Sequence, residues 1–159
     1  MHAEPQKEHQ WLNKLVGKWT LESECIMGPG QPPSTFKGSE VVRSVGGLWT
    51  IAEGEGEMPG GGTAKSIMTL GYDPRIERFV GTFIASMMTH LWIYNGTLDA
   101  AGNVLTLDTE GPKFDQSGMA RYQDVITLVS DDHRLLTSQC RGDDGQWRQF
   151  MTAHYRRQR

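Results

Sequence analysis

The chain has 159 residues, enough for one domain around one core, so a single function is sought over residues 1–159. Its net charge is −3, and its only basic cluster is Arg156, Arg157 and Arg159 at the C-terminal end, which excludes a surface that tracks nucleic-acid phosphates. Hydrophobic residues make up 37% and mean hydropathy is −0.49, a thin core. The 5 Trp, 5 Phe and 4 Tyr nevertheless argue against disorder, and a polar-lined cavity reconciles the two.

The opening residues contain no apolar run of leader or membrane-span length, which gives the expectation of a cytoplasmic protein without a membrane partner. Cys25 and Cys140 are too few for a disulfide framework and lack zinc-site spacing, so free, buried thiols and no metal are expected. Residues 5–16 then read as a helix, with Trp11, Leu12, Leu15 and Val16 on one stripe and Pro5 in its first turn. Gly17 ends it.

Beyond Gly17 the pattern becomes short runs broken by turn residues about every ten positions. Strands are predicted at 18–27, 35–45, 48–57, 64–72, 78–86, 89–98, 103–110, 119–130, 133–141 and 146–156. The connections carry turn chemistry: Gly28, Pro29 and Gly30, then Gly46 and Gly47, Pro59 to Gly62, Asp73 and Pro74, Gly102, Asp131 and Asp132, and Gly145. No helical pattern separates the strands, so the sheet is antiparallel, and closure would remove its exposed edges. The expectation is an all-β, up-and-down antiparallel barrel of about ten strands with an N-terminal capping helix.

Leu15-Val16-Gly17-Lys18-Trp19 resembles the Gly-x-Trp signature that opens the first strand of calycins, the lipocalin and fatty-acid-binding superfamily. The further motifs are Val45-Gly46-Gly47-Leu48-Trp49, Leu70-Gly71-Tyr72-Asp73, Phe79 to Ser86, Gly96-Thr97-Leu98-Asp99 and Tyr155-Arg156. In this order they resemble a bacterial lipocalin-like family, domain of unknown function 1579. The resemblance implies a lipocalin-like barrel and no known reaction. The chain departs from the family pattern at Phe83, where Trp is usual, and at Ala85, where Asp is usual. In such a barrel Trp19 would sit at the closed end with an Arg of the last strand, here Arg156, stacked on its ring.

His90, Trp92 and Tyr94 alternate along one predicted strand and so share a face; if that face is inward they place an imidazole, an indole and a phenol in one cavity. The alternative turns Leu91 and Ile93 inward instead. Met68, with Met58, Met87, Met88, Met119 and Met151, suits an adaptable apolar pocket or ordinary packing, and Phe83 would join the same lining. Glu53, Glu55 and Glu57 share a strand face, with successive backbone positions about 6–7 Å apart, near the spacing of acid–base pairs; a solvated face is the competing reading. Fatty-acid-binding relatives hold a carboxylate with interior Arg and Tyr, which brings Arg121 in as a further candidate against the alternative of a surface Arg. His154 is similar in position to the haem-bound His of nitrobindin barrels without the motif around it, and no cofactor is expected.

No nucleophile elbow, P-loop, zincin or dinucleotide fingerprint is present. The resulting expectation is a protein that binds a small apolar or amphipathic molecule inside the barrel, through His90, Trp92, Tyr94, Met68, Phe83, Arg121 and Glu53. The alternatives are a small enzyme with His90 or Glu53 as general base, and a homodimeric interaction module.

Overall fold

A computed structural model describes residues 1–26, 30–58 and 60–159. The chain begins with the short helix α1 (Lys7–Leu12) and one 3-10 turn (Asn13–Leu15). Ten strands follow: β1 (Gly17–Cys25), β2 (Ser34–Val45), β3 (Trp49–Glu57), β4 (Thr63–Asp73), β5 (Arg78–Ala85), β6 (Trp92–Leu98), β7 (Val104–Pro112), β8 (Met119–Ser130), β9 (His133–Arg141) and β10 (Trp147–Arg157). Each strand pairs antiparallel with its chain neighbour, and β10 closes on β1, so every strand is paired on both sides. The expected barrel of ten strands is the observed one. The predicted strand end at Met27 and the turn residues Gly28, Pro29 and Pro59 lie outside the described residues.

Strand alternation decides what lies inside. From β1 the inward set includes Trp19 and Leu21, from β3 Thr50 and Ala52, from β7 Leu105 and Leu107, and from β10 Ala153 and Tyr155. Two register shifts interrupt the ladder, one at Leu128/Ser130 and one at Gln149/Met151. The second makes Phe150 an extra residue of β10, and its ring packs edge-on against Phe114 at 5.0 Å.

The helix is shorter than the predicted 5–16, because Gln6 rather than Pro5 caps it and the chain must already be extended at Val16 to enter β1. Gly17 makes that turn with φ of 140°, a conformation that side chains with a Cβ rarely adopt. The predicted stripe holds: Trp11, Leu12 and Leu15 are all buried. Trp11 meets Phe79 edge-on at 5.8 Å and donates from Nε1 to the Gly102 carbonyl at 2.7 Å. His9 accepts at Nδ1 from the Gln6 amide, so its proton sits on Nε2, 3.0 Å from the Tyr72 carbonyl that receives it.

Trp19 is 1% exposed and donates from Nε1 to the Leu15 carbonyl at 2.9 Å. Its stacked arginine is not Arg156. The register sets Trp19 opposite Arg157, so Arg157 shares its face while Arg156 points outward. The Arg157 guanidinium lies 4.3 Å from the indole centroid and donates to the carbonyls of Val16 at 2.5 Å and Lys14 at 2.9 Å. A second arginine, Arg134 of β9, lies between Trp19 at 4.7 Å and Tyr155 at 4.0 Å. This end of the barrel is therefore closed by side chains tied to the helix and to one another.

Candidate functional site

The opposite end is open. Its rim includes the connections β5–β6, β7–β8 and β9–β10, and below it lie two adjoining chambers with volumes of about 540 and 240 Å³. Met68, Phe83, Leu136 and Met151 line both and form the wall between them. Volumes of this order suit a small organic molecule.

The larger chamber is lined mainly by sulfur and aromatic surface. Met87 and Met88 come from the β5–β6 connection and Phe114 from the β7–β8 connection, all exposed at the mouth. Below them Trp92, Tyr122 and Phe150 meet edge to face, with Trp92–Tyr122 centroids 5.0 Å apart and Tyr122–Phe150 centroids 6.1 Å apart. Gly111 of β7 is required here: a Cβ at that position would fall inside the Trp92 ring, so only glycine lets the indole lie against the barrel wall. Tyr122 donates its phenol proton to the Pro112 carbonyl at 2.5 Å.

One carboxylate faces this aromatic surface. Asp124 of β8 accepts from the Tyr94 hydroxyl at 2.5 Å and from the Ser138 hydroxyl at 2.6 Å. Burial pushes its carboxyl above the ordinary carboxylate range, and the two hydroxyl donors oppose that rise without cancelling it. Burial also raises Tyr94 well above the usual phenol range, with the Asp124 charge adding to the effect, so the phenol keeps its proton. Two buried polar atoms beside the chamber, Trp92 Nε1 and Thr109 Oγ1, have no hydrogen-bond partner among the described residues.

The smaller chamber reaches deeper, running from Gly56, Ala64 and Met87 near the open rim down to Leu15 at the plugged end. A buried ion pair between Glu40 of β2 and Arg134 forms part of its wall, with Leu21, Val42, Ala52 and Leu70 around it. Tyr155 beside the pair is pushed above the phenol range, by burial first and by Glu40 second. Among the described residues no three His, Cys, Asp or Glu side chains converge as metal ligands, and no helix is long and apolar enough to cross a membrane.

The predicted trio is partly brought together. Trp92 and Tyr94 point inward from β6, but that strand starts at Trp92, and His90 belongs to the connection before it. His90 stands at the mouth, edge-on to Trp92 at 4.8 Å, with Nε2 2.9 Å from the Glu110 carbonyl. Met68 and Phe83 line both chambers, and Ala85 is buried and directed inward.

Two expectations are corrected. Glu53 lies outside, 3.8 Å from Arg43, because Ala52 and Gly54 occupy the inward positions of β3. Arg121 is likewise outside, 3.7 Å from Glu110, since its neighbour Tyr122 takes the inward position on β8. His154 is exposed on the outer face, its ring stacked on His133 with a nitrogen-to-nitrogen distance of 3.0 Å. Asp124, Ser138, Thr109 and the Glu40–Arg134 pair were not singled out in the sequence. Their signal is a polar residue within an otherwise apolar inward stripe, as in Tyr122, Asp124, Ile126 and Leu128 of β8.

Comparison with known proteins places the architecture. Rv2717c from M. tuberculosis has a crystal structure that matches with a TM-score of 0.67 at 16% identity, covering 98% of this chain and 100% of that one. The S-type phycobiliprotein lyase CPES from Guillardia theta matches with a TM-score of 0.61 at 13% identity, covering 99% of each chain. EF1p2_mFAP2b, solved bound to DFHBI, matches with a TM-score of 0.51 at 15% identity, covering 94% of this chain and 98% of that one. At these identities the likeness concerns the fold. No curated protein matches the chain. The model of the family "Protein of unknown function (DUF1579)" matches residues 4–157, nearly the whole chain, and the protein belongs to that family.

Proposed function

We propose that this protein binds a small apolar or amphipathic molecule inside the barrel, in the larger chamber beneath the open rim. The observation that carries this reading is the chamber itself: about 540 Å³, walled by methionine and aromatic side chains, with a few polar groups converging on one side. Methionines and edge-to-face rings give a lining that can adapt to a flat apolar body. The lyase and the DFHBI-bound protein supply fold-level support, since both names point to small-molecule partners for barrels of this shape.

A neutral, polarity-sensitive dye such as Nile red tests the reading. Titration is expected to give saturable emission enhancement near one dye per chain, and Met68→Trp, which places an indole in the wall shared by both chambers, is expected to abolish it while the melting transition stays cooperative. Unsaturable emission, or a saturable signal that survives Met68→Trp, counts against the interior site. The general-base version with Glu53 has no support, because that carboxylate lies outside the barrel.

A further inference from the structure

Asp124 is an acidic side chain lining an otherwise mainly apolar chamber. We propose that the ligand class of this site is an aromatic or polycyclic amine, whose ammonium pairs with Asp124 while its apolar body lies among Trp92, Tyr122 and Phe150. This rests on the binding reading above and deepens it.

Asp124 accepts one hydrogen bond at each carboxylate oxygen, from Tyr94 and Ser138, and both donors are neutral. Each oxygen retains acceptor capacity for a further donor. A half-buried carboxylate in an apolar chamber is costly unless a cation pairs with it. Among the described residues the chain supplies none: Arg134, the cation of the smaller chamber, is committed to Glu40, and Lys113 at the mouth holds Asp143 at 2.9 Å. The chamber is thus left with an unbalanced acidic group. The rings above it complete the match, because aromatic faces attract a desolvated ammonium and the surrounding methionines exclude water from the pair. The same arrangement disfavours a fatty acid. An anionic headgroup would meet the Asp124 carboxylate, and Arg134, the interior guanidinium among the described residues of the adjoining chamber, is already paired with Glu40.

Three probes sharing one fluorophore isolate charge from shape: dansylcadaverine, its N-acetyl derivative and dansyl-aminocaproic acid. The amine is expected to bind at least about tenfold more tightly than its acetylated form, the acid is expected to bind most weakly, and Asp124→Asn is expected to erase the tenfold ratio. Arg121→Gln, on the outer face, is expected to leave the ratio unchanged. Equal binding of all three probes, or a ratio that survives Asp124→Asn, overturns the proposal while leaving the binding function standing. Binding by none of the three overturns both.

Should Asp124→Asn fail to fold, the ratio is measured on His90→Gln protein as pH falls through the carboxylate range. The groups facing Asp124 are Tyr94 of β6, Ser138 of β9 and, towards the deeper chamber, Tyr155 of β10 and the Glu40–Arg134 pair of β2 and β9; Tyr122 and Lys113 lie towards the mouth. Asp124 is the one acidic side chain among the described residues that line the chamber, and the His90 change takes the mouth imidazole away from the amine's path. The amine's advantage is expected to collapse as that group protonates. An advantage that persists at acid pH overturns the proposal.

Discussion

The two ends of this barrel are built from the same alternating strands but do different work. At the plugged end, Leu12, Trp19, Phe79, Leu105 and Leu107 are almost completely buried, and indole and guanidinium donors are matched to named carbonyls. At the open end, Met87, Met88 and Phe114 are exposed, an indole N–H and a threonine hydroxyl lack partners among the described residues, and a carboxylate sits among rings. The difference teaches that packing and open polar surface are separated along the barrel axis: one end ties most of its polar groups internally, Arg134 Nε excepted, and the other leaves a carboxylate with acceptor capacity beside a chamber.

The sharpest way to break that comparison is Arg134→Met, which leaves Glu40 buried without its partner and is expected to cost about 3–5 kcal/mol in denaturant unfolding. The double change Glu40→Leu with Arg134→Met is expected to recover most of that loss, since no charge is then stranded. A double variant as unstable as the single would mean that stacking of Arg134 on Trp19 and Tyr155, rather than its charge pairing, carries the contribution.

Next in size is Trp11→Ala. Removing a buried ring that spans the helix and Phe79 is expected to cost about 3 kcal/mol and to leave Nile red affinity almost unchanged, because the helix plugs the end remote from the chamber. A change in dye exchange rate larger than the change in stability would make the helix a portal instead.

Asp124→Asn is expected to act in the opposite direction. Burial raises the folded-state carboxyl above its unfolded value, so stability is fully present below the unfolded pKa and is lost as pH rises through the folded one. The asparagine variant should therefore melt higher than the wild type near neutrality, with the gap closing in acid. A lower melting temperature at neutral pH would mean that the carboxylate stabilises the empty barrel. The smallest effects belong to the outer face: Glu53→Gln and Arg121→Gln should each change stability by less than about 0.5 kcal/mol and leave dye binding intact.

Much of the architecture was legible because it depends on local pattern. Turn residues at roughly ten-residue intervals mark seven of the nine strand connections, and the stripe of Trp11, Leu12 and Leu15 announces a helix with something to cover. The helix length was not, since Val16 and Gly17 must turn into β1 and that demand comes from the barrel. The site was legible in part. Trp92, Tyr94, Met68 and Phe83 were identified from residue type and do face inward, whereas Glu53 and Arg121 were drawn from the wrong face of their strands.

By itself, then, the sequence determined the strands, their order and the apolar helix stripe, because period-two alternation and turn chemistry are properties of consecutive residues. Only the tertiary structure decided which face of each strand points inward and which distant residues meet. A one-residue change of parity exchanges Arg156 for Arg157 on Trp19, or Arg121 for Tyr122 in the chamber. Register also brings Asp124, Tyr94 and Ser138 together: Asp124 and Ser138 are cross-strand partners on β8 and β9, and Tyr94 reaches Asp124 from β6, two strands away. No local signal encodes that meeting, because it depends on the register between strands and on which face of each turns inward.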